Sequence, residues 1–464
     1  MAVIQKNTVH TLDITGYTAE GMGAARLEGR VVFVPRVIQG ERWKVRLEKV
    51  NKNVAWGRGV ELLLPSPERL RPDCPLYGKC GGCQFRHMTY YPEELRAKGR
   101  RISDALERLG HVKLDLPPVL GAENPDRYRN KVQFPVSEGR RGLSVGWYRP
   151  RSHDVLDAPD CLLQPQAATR LRDAFKSWME DYGVPAYSEE TGQGLIRHLY
   201  IRTNSRGQSL VCVVANGDSL PHARALADAL CQADPGLIGV VLNSNTRDTN
   251  VILGDRYTLL RGQDWLEEVL CGLTFRLSVP SFFQVNRAQT EVLYRTALDF
   301  AQLTGTETVL DLYCGIGSIS LVLAKRAGRV IGAEIVPQAV EDARENARRN
   351  GVENAEFFCG DAGSLARRLA AEGVRPQVIC VDPPRKGLAP QVPAILAEMG
   401  PERIVYVSCD PATLARDTAR LSDLGYRAVK AQGVDLFPRT AHVETVLLMV
   451  RDICKDCQER GPSA

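Results

Sequence analysis

From about residue 305 onward, short apolar runs alternate with amphipathic stretches, and this alternation limits the second half of the chain to very few folds. The runs cover 308–315, 329–335, 355–362, 377–384, 403–411, 428–437 and 444–450. Such continuous apolar segments read as strands buried on both faces. The intervening segments, for example Pro337 to Gly351, carry helical periodicity. The pattern predicts a doubly wound α/β domain with ligands at the carboxyl ends of its strands.

The first 67 residues read differently. Short alternating runs at Thr11–Thr15, Arg30–Pro35 and Arg42–Lys49, separated by Gly16, Gly21, Gly23 and Gly40, predict a small β-barrel. Arg26, Arg36, Arg42, Lys44, Arg46, Lys49, Lys52 and Arg58 decorate it, as a nucleic-acid surface or as an ordinary solvated one. Pro65, Pro67 and Pro72 lead out into a loop holding Cys74, Cys80 and Cys83. A helix is predicted over Pro92–Leu109, and β-rich runs with two helices, near 167–180 and 221–232, predict an antiparallel α+β domain over 120–270. The predicted units are the barrel at 1–67, a central domain at 68–92 and 120–270, a catalytic domain at 93–119 and 271–453, and a tail at 454–464.

Composition constrains function only loosely. Sixty Lys and Arg against 55 Asp and Glu give +5, which permits a nucleic-acid partner without requiring one. Thirteen cysteines are too scattered for a secreted disulfide scaffold. With no secretory leader and no long apolar segment, a cytoplasmic protein without membrane contact is expected.

Strand ends carry the chemistry. The first strand of the α/β domain runs into Asp311, Tyr313, Gly315 and Gly317, and the second ends in Glu334, placed to bind ribose hydroxyls. A dinucleotide fold would show a third glycine, but Ser320 stands there. Asp361 and Asp382 at the next strand ends would repel a diphosphate and suit a neutral adenine with a cationic sulfonium. S-adenosylmethionine is therefore favoured over NAD.

Cys409 follows the fifth strand. A lone cysteine at a strand end is usually a small buried hydrophobe, but Pro411 stops the strand and turns the thiol toward the cleft, whereas Cys359 and Cys380 lie within apolar strands. C5 of uracil is too weak a nucleophile to take a methyl group unaided, and thiolate addition at C6 activates it. A base must then remove the C5 proton, and Glu444 and His442 both qualify.

Taken together, residues 281–286, 311–317, 382–387, 408–417 and 442–445 closely resemble the RNA uracil-C5 methyltransferase family. The resemblance spans nearly the whole chain. It implies a TRAM domain in front and a central domain like that of the iron-sulfur branch, which methylates 23S ribosomal RNA. It further implies Cys409 as nucleophile and Glu444 as base, with cofactor contacts from Gln284, Tyr313, Glu334 and Asp382 and with Asp361 near the adenine. Cys74, Cys80, Cys83 and Cys161 match the ligands of a four-iron four-sulfur cluster, zinc being the alternative for four thiolates. Cys454 and Cys457 read as an incidental tail pair. Asp410 replaces the Asn of many members. Arg127, Tyr128, Arg129 and Lys131 are candidate contacts to RNA, whose target base must be flipped out of its stack. The expected protein is a monomer acting on 23S RNA. The alternatives are transfer RNA, an NAD oxidoreductase, and a noncatalytic RNA-binding assembly factor.

Overall fold

The computed structural model describes residues 4–139, 142–157 and 160–452. Cys454 and Cys457 lie outside the described residues.

The front unit is a six-stranded sheet between Val9 and Leu64. Alternation within Val9–Asp13 and Arg30–Val34 turns Leu12, Val32 and Val34 inward, where they join Ile14, Ala25, Val37, Val45, Leu47 and Ala55 in a separate small core. Several of its cations are already paired, Arg42 with Asp13 at 2.6 Å and Lys44 with Glu61 at 2.8 Å.

The central unit is a seven-stranded sheet from Lys131 to Gly262, flanked by helices Gln166–Asp181 and Ala223–Ala233. One correction applies to its predicted antiparallel character. Strands Ser209–Ala215 and Leu237–Ser244 run parallel, because the second helix makes a crossover rather than a hairpin. The next two strands, Trp265–Leu270 and Leu273–Ser278, pair only with each other. Leu266, Phe275 and Leu277 belong to the apolar cluster under the catalytic sheet, and the predicted boundary at 270 falls in the turn of this hairpin.

The catalytic sheet has seven strands, and numbering them along this domain gives the order 3-2-1-4-5-7-6. The first five are parallel, and Glu444–Arg451 enters antiparallel between Arg403–Ser408 and Tyr426–Val434. The helix predicted at Pro92–Leu109 spans Leu95–Arg108. It buries Ile102 and Leu106 beside Leu414 and Leu421 of the helix Pro411–Asp423, so it packs with the catalytic domain. Among the described residues, no helix is long and apolar enough to cross a membrane.

Candidate active site

A cavity of about 530 Å³ opens at the carboxyl ends of the catalytic strands. Gln284, Tyr313, Gly315, Glu334, Asp382, Cys409 and Glu444 line it, together with Asp311 and His442. After the strand Thr308–Leu312, the backbone takes positive φ at Tyr313 (68°), Gly315 (55°) and Gly317 (80°) before entering the helix Ser318–Ala324. A Cβ on Gly315 would meet nothing within 4 Å, so that side of the turn is open to a ligand. Gly315 donates its N–H to Glu334 Oε2 at 3.1 Å, and Val336 N–H donates to Oε1 at 2.9 Å, so both oxygens are oriented.

Two expected cofactor residues do not line the cavity directly. Gly317 does not line the cavity, and a Cβ there would come within about 3.1 Å of Phe357 and Ala343. Its small size serves helix-to-strand packing. Asp361 is exposed beside Tyr313 of the cavity wall, and one of its oxygens caps the helix Ala362–Ala371 by accepting from Ser364 N–H at 3.0 Å.

The cavity's acids favour a cation. Burial pushes Asp382 up to about 7, and burial together with Asp382 and Glu334 does the same to Asp311. Ser320, in the place of the missing glycine, donates to Asp311 Oδ2, while Oδ1 is buried with no partner. An orphaned carboxylate oxygen among acids fits the ammonium and sulfonium charges of S-adenosylmethionine.

Across the cavity, strand pairing brings the candidate nucleophile and base together. Ser408 lies opposite Thr445, so Cys409 leaves its strand beside Glu444. Burial and then Glu444 and Asp382 raise the Cys409 thiol to about 11, opposed by Arg385. Burial and Asp382 raise Glu444 to about 8, again opposed by Arg385. Burial, with Arg385 and Arg101, lowers His442 to about 4. Asp410 caps the helix Pro411–Asp423 through Oδ1, which accepts from Ala412 and Thr413 N–H. An Asn carbonyl would accept the same bonds, which explains how either residue serves here.

Two cavity residues lie in motifs noted in the sequence but were given no role at the site there. Arg385 bears the positive charge that favours ionisation of both Cys409 and Glu444, and its position after a Pro-Pro strand end was the available signal. Phe282 lines the cavity yet is 67% exposed, an unusual placement for a large ring and one suited to stacking.

A second cavity, of about 280 Å³, is lined by Cys74, Cys80, Cys83 and Cys161, with Arg129 and Lys131 on the same wall. Burial pushes the Cys83 thiol up to about 12, with Cys161 and Cys80 adding to the rise. Four soft donors around one space, beside two cations, fit an anionic iron-sulfur group. Among the described residues, no group of three or more His, Cys, Asp or Glu is arranged to hold a metal ion.

The supposed RNA strand is partly reassigned. Arg127 pairs with Asp160 at 2.6 Å and donates to the carbonyls of Cys161 and Gln164, so it fastens the cysteine loop. The Tyr128 hydroxyl donates to Pro438 O at 3.1 Å, joining the central and catalytic domains.

A doubly wound sheet with this strand order and a ligand cavity at its carboxyl edge is the fold of an S-adenosylmethionine-dependent methyltransferase. Residues 240–452 match the tRNA (Uracil-5-)-methyltransferase family, and residues 5–60 match the TRAM domain. An uncharacterized RNA methyltransferase of Clostridium tetani is 42% identical over 447 residues, covering 96% of this chain and 97% of its own. One from Halalkalibacterium halodurans is 42% identical over 450 residues, covering 97% and 98%. The Pyrococcus abyssi tRNA (uracil-54, C5)-methyltransferase, solved with S-adenosyl-L-homocysteine, superposes with a TM-score of 0.74 at 24% identity over 95% of this chain and 100% of that one. The chain belongs to the RNA uracil-C5 methyltransferase family and carries its TRAM domain.

Proposed function

We propose that the protein methylates C5 of a uridine in 23S ribosomal RNA, with Cys409 as nucleophile and Glu444 as base. The observation that carries this reading is the register of Ser408 opposite Thr445, which sets Cys409 beside Glu444 on a wall shared with Asp382. The ribosomal substrate rests on the resemblance of the front barrel and the four cysteines to the iron-sulfur branch, while the overall fold is shared with a transfer-RNA enzyme.

In this mechanism the Cys409 thiol gives its proton to solvent and its sulfur bonds to C6, pushing the C5–C6 π electrons toward C5 and O4. Arg385 favours both the thiolate and the Glu444 carboxylate. S-adenosylmethionine, when bound near Asp311, Glu334 and Asp382, supplies the methyl carbon that C5 takes. Glu444 then accepts the C5 proton, the C5–C6 double bond re-forms and the sulfur leaves as thiolate. A base near pH 8 suits proton transfer at neutral pH, whereas His442 at about 4 is a weaker one.

Cys74, Cys80, Cys83 and Cys161 would hold a four-iron four-sulfur cluster with a structural role. The resemblance of these four cysteines to the ligands of the iron-sulfur branch favours the polynuclear centre over zinc.

The test uses 5-fluorouridine-substituted 23S and transfer-RNA transcripts with the cofactor. Fluorine cannot leave as a proton, so a covalent protein–RNA complex is expected with 23S transcripts and absent in Cys409→Ala. A complex with transfer RNA alone would overturn the ribosomal substrate, and no complex with either would overturn the thiolate chemistry.

A further inference from the structure

The loop from Asp435 to Val443, which delivers His442 and Glu444 to the cavity, is held largely by residues that precede it in sequence by more than three hundred positions. Gln84 and Phe85 donate their backbone N–H groups to Arg439 O at 2.9 and 3.1 Å. Lys98 Nζ donates to Asp435 Oδ1 at 2.7 Å and to Phe437 O at 3.2 Å. Glu94 accepts from Arg439 N–H at 2.6 Å.

The grip converges on Ala441. Its N–H donates to the side-chain oxygen of Gln84 at 3.2 Å, and its carbonyl accepts from Arg101 at 2.7 Å. The same Gln84 amide donates to Gly81 O at 2.9 Å, inside the cysteine loop. Arg101 also reaches Asp410 Oδ2 at 3.4 Å, beside the nucleophile. One guanidinium thus spans the turn after Cys409 and the loop before Glu444. Around this point the Ala441 methyl packs with Ile38 of the barrel, Phe85 and Met88 after the cysteine loop, and Ala97 of the helix. A Cβ on Gly21 of the barrel would come within about 3 Å of Phe85 and Ala441, so the packing there is already close.

We infer that Gln84 and Arg101 are positioning residues: by holding the two polar groups of Ala441 they fix His442 and Glu444 relative to Cys409, and they tie that geometry to the cysteine loop and barrel. The inference rests on the assignment of Cys409 and Glu444 above. Neither residue touches the cofactor half of the cavity, since neither is among its lining residues. Their loss should therefore affect the reacting geometry and leave cofactor binding unchanged. Displacements of about an ångström at a reacting pair cost up to about a hundredfold in rate.

The experiment compares wild type, Gln84→Ala, Gln84→Glu, Arg101→Met and the double variant Gln84→Ala/Arg101→Met. Readouts are the rate of covalent complex formation with the 5-fluorouridine 23S and transfer-RNA transcripts, KM for S-adenosylmethionine, RNA affinity by filter binding, iron per chain, and melting temperature. The complex should form about tenfold or more slowly in Gln84→Ala and Arg101→Met, with KM for the cofactor unchanged. Gln84→Ala should keep wild-type RNA affinity and iron content. Gln84→Glu keeps an oxygen for the Ala441 N–H but loses the amide donated to Gly81 O, so its rate should fall between those of wild type and Gln84→Ala. The double variant should lose less than the product of the single losses, because both act through one residue. Folded variants within twofold of wild type, or a loss in Gln84→Ala confined to RNA affinity, would overturn the inference. Failure of wild type itself to form the complex would instead overturn the assignment of Cys409.

Discussion

Replacing Glu444 by Gln should separate the two halves of the proposed reaction. The carboxyl group is 3% exposed and Gln matches its shape, so the change is chiefly one of charge. With a pKa of about 8, roughly one site in ten carries the carboxylate at pH 7 and about nine in ten at pH 9. After burial, that same charge is the largest electrostatic cause of the raised Cys409 thiol. Gln removes it, so thiolate addition at C6 should proceed at least as readily as in wild type. Proton removal from C5 loses its base, and a positioned general base contributes about 10²–10⁴ in rate, or about 3–5 kcal/mol. Tritium release from RNA bearing 5-tritiated uridine measures that step directly. It should fall by this factor while a methylated protein–RNA adduct accumulates on denaturing gels. In wild type, tritium release should rise between pH 7 and 9 as Glu444 ionises. The reasoning fails if Glu444→Gln releases tritium within tenfold of wild type, or if His442→Ala loses more than Glu444→Gln does.

Other expectations follow from the same geometry. Because the fold favours the protonated form of Glu444, the stability this group contributes is complete below about pH 4.5 and lost as pH rises through about 8. Glu444→Gln should therefore melt higher than wild type at pH 9 and converge with it near pH 5, by at most about 5 kcal/mol, as read by calorimetry of the cofactor-free protein. Asp410→Asn should keep stability and turnover near wild type, while Asp410→Ala loses the helix cap at about 1 kcal/mol in urea denaturation. Gly317→Ala should destabilise by about 1–3 kcal/mol, since it places a Cβ at φ 80° against Phe357 and Ala343; an unchanged melting temperature would refute that. Elemental analysis should find about four irons with matching sulfide per chain, lost in Cys83→Ser; one zinc per chain would refute the cluster.

What the sequence made legible was local. The strand runs after residue 305, their terminal acids and the proline after Cys409 each carry their meaning within a few neighbours. Long-range pairing was not legible. Arg127 looks like a phosphate contact until Asp160, 33 residues on, folds against it. That one oxygen of Asp361 caps a helix through Ser364 N–H was likewise not written in the order of residues. Gly317 and Gly315 share one motif but answer to different neighbours, one to Phe357 and the other to open space. The parallel pair in the central sheet depended on whether a helix crosses over or folds back, which periodicity does not encode.

The buried ammonium of Lys98 has a practical corollary for anyone dissecting this protein. It sits wholly out of solvent between Glu94 and Asp435, with one anion from the early helix and the other from near the end of the sheet. A truncation that kept only the carboxy-terminal half would remove the ammonium that Asp435 pairs with and bare the apolar residues, Leu414 and Leu421 among them, that the early helix covers. Excised fragments should therefore aggregate, and productive designs must transplant the early helix along with the sheet it serves.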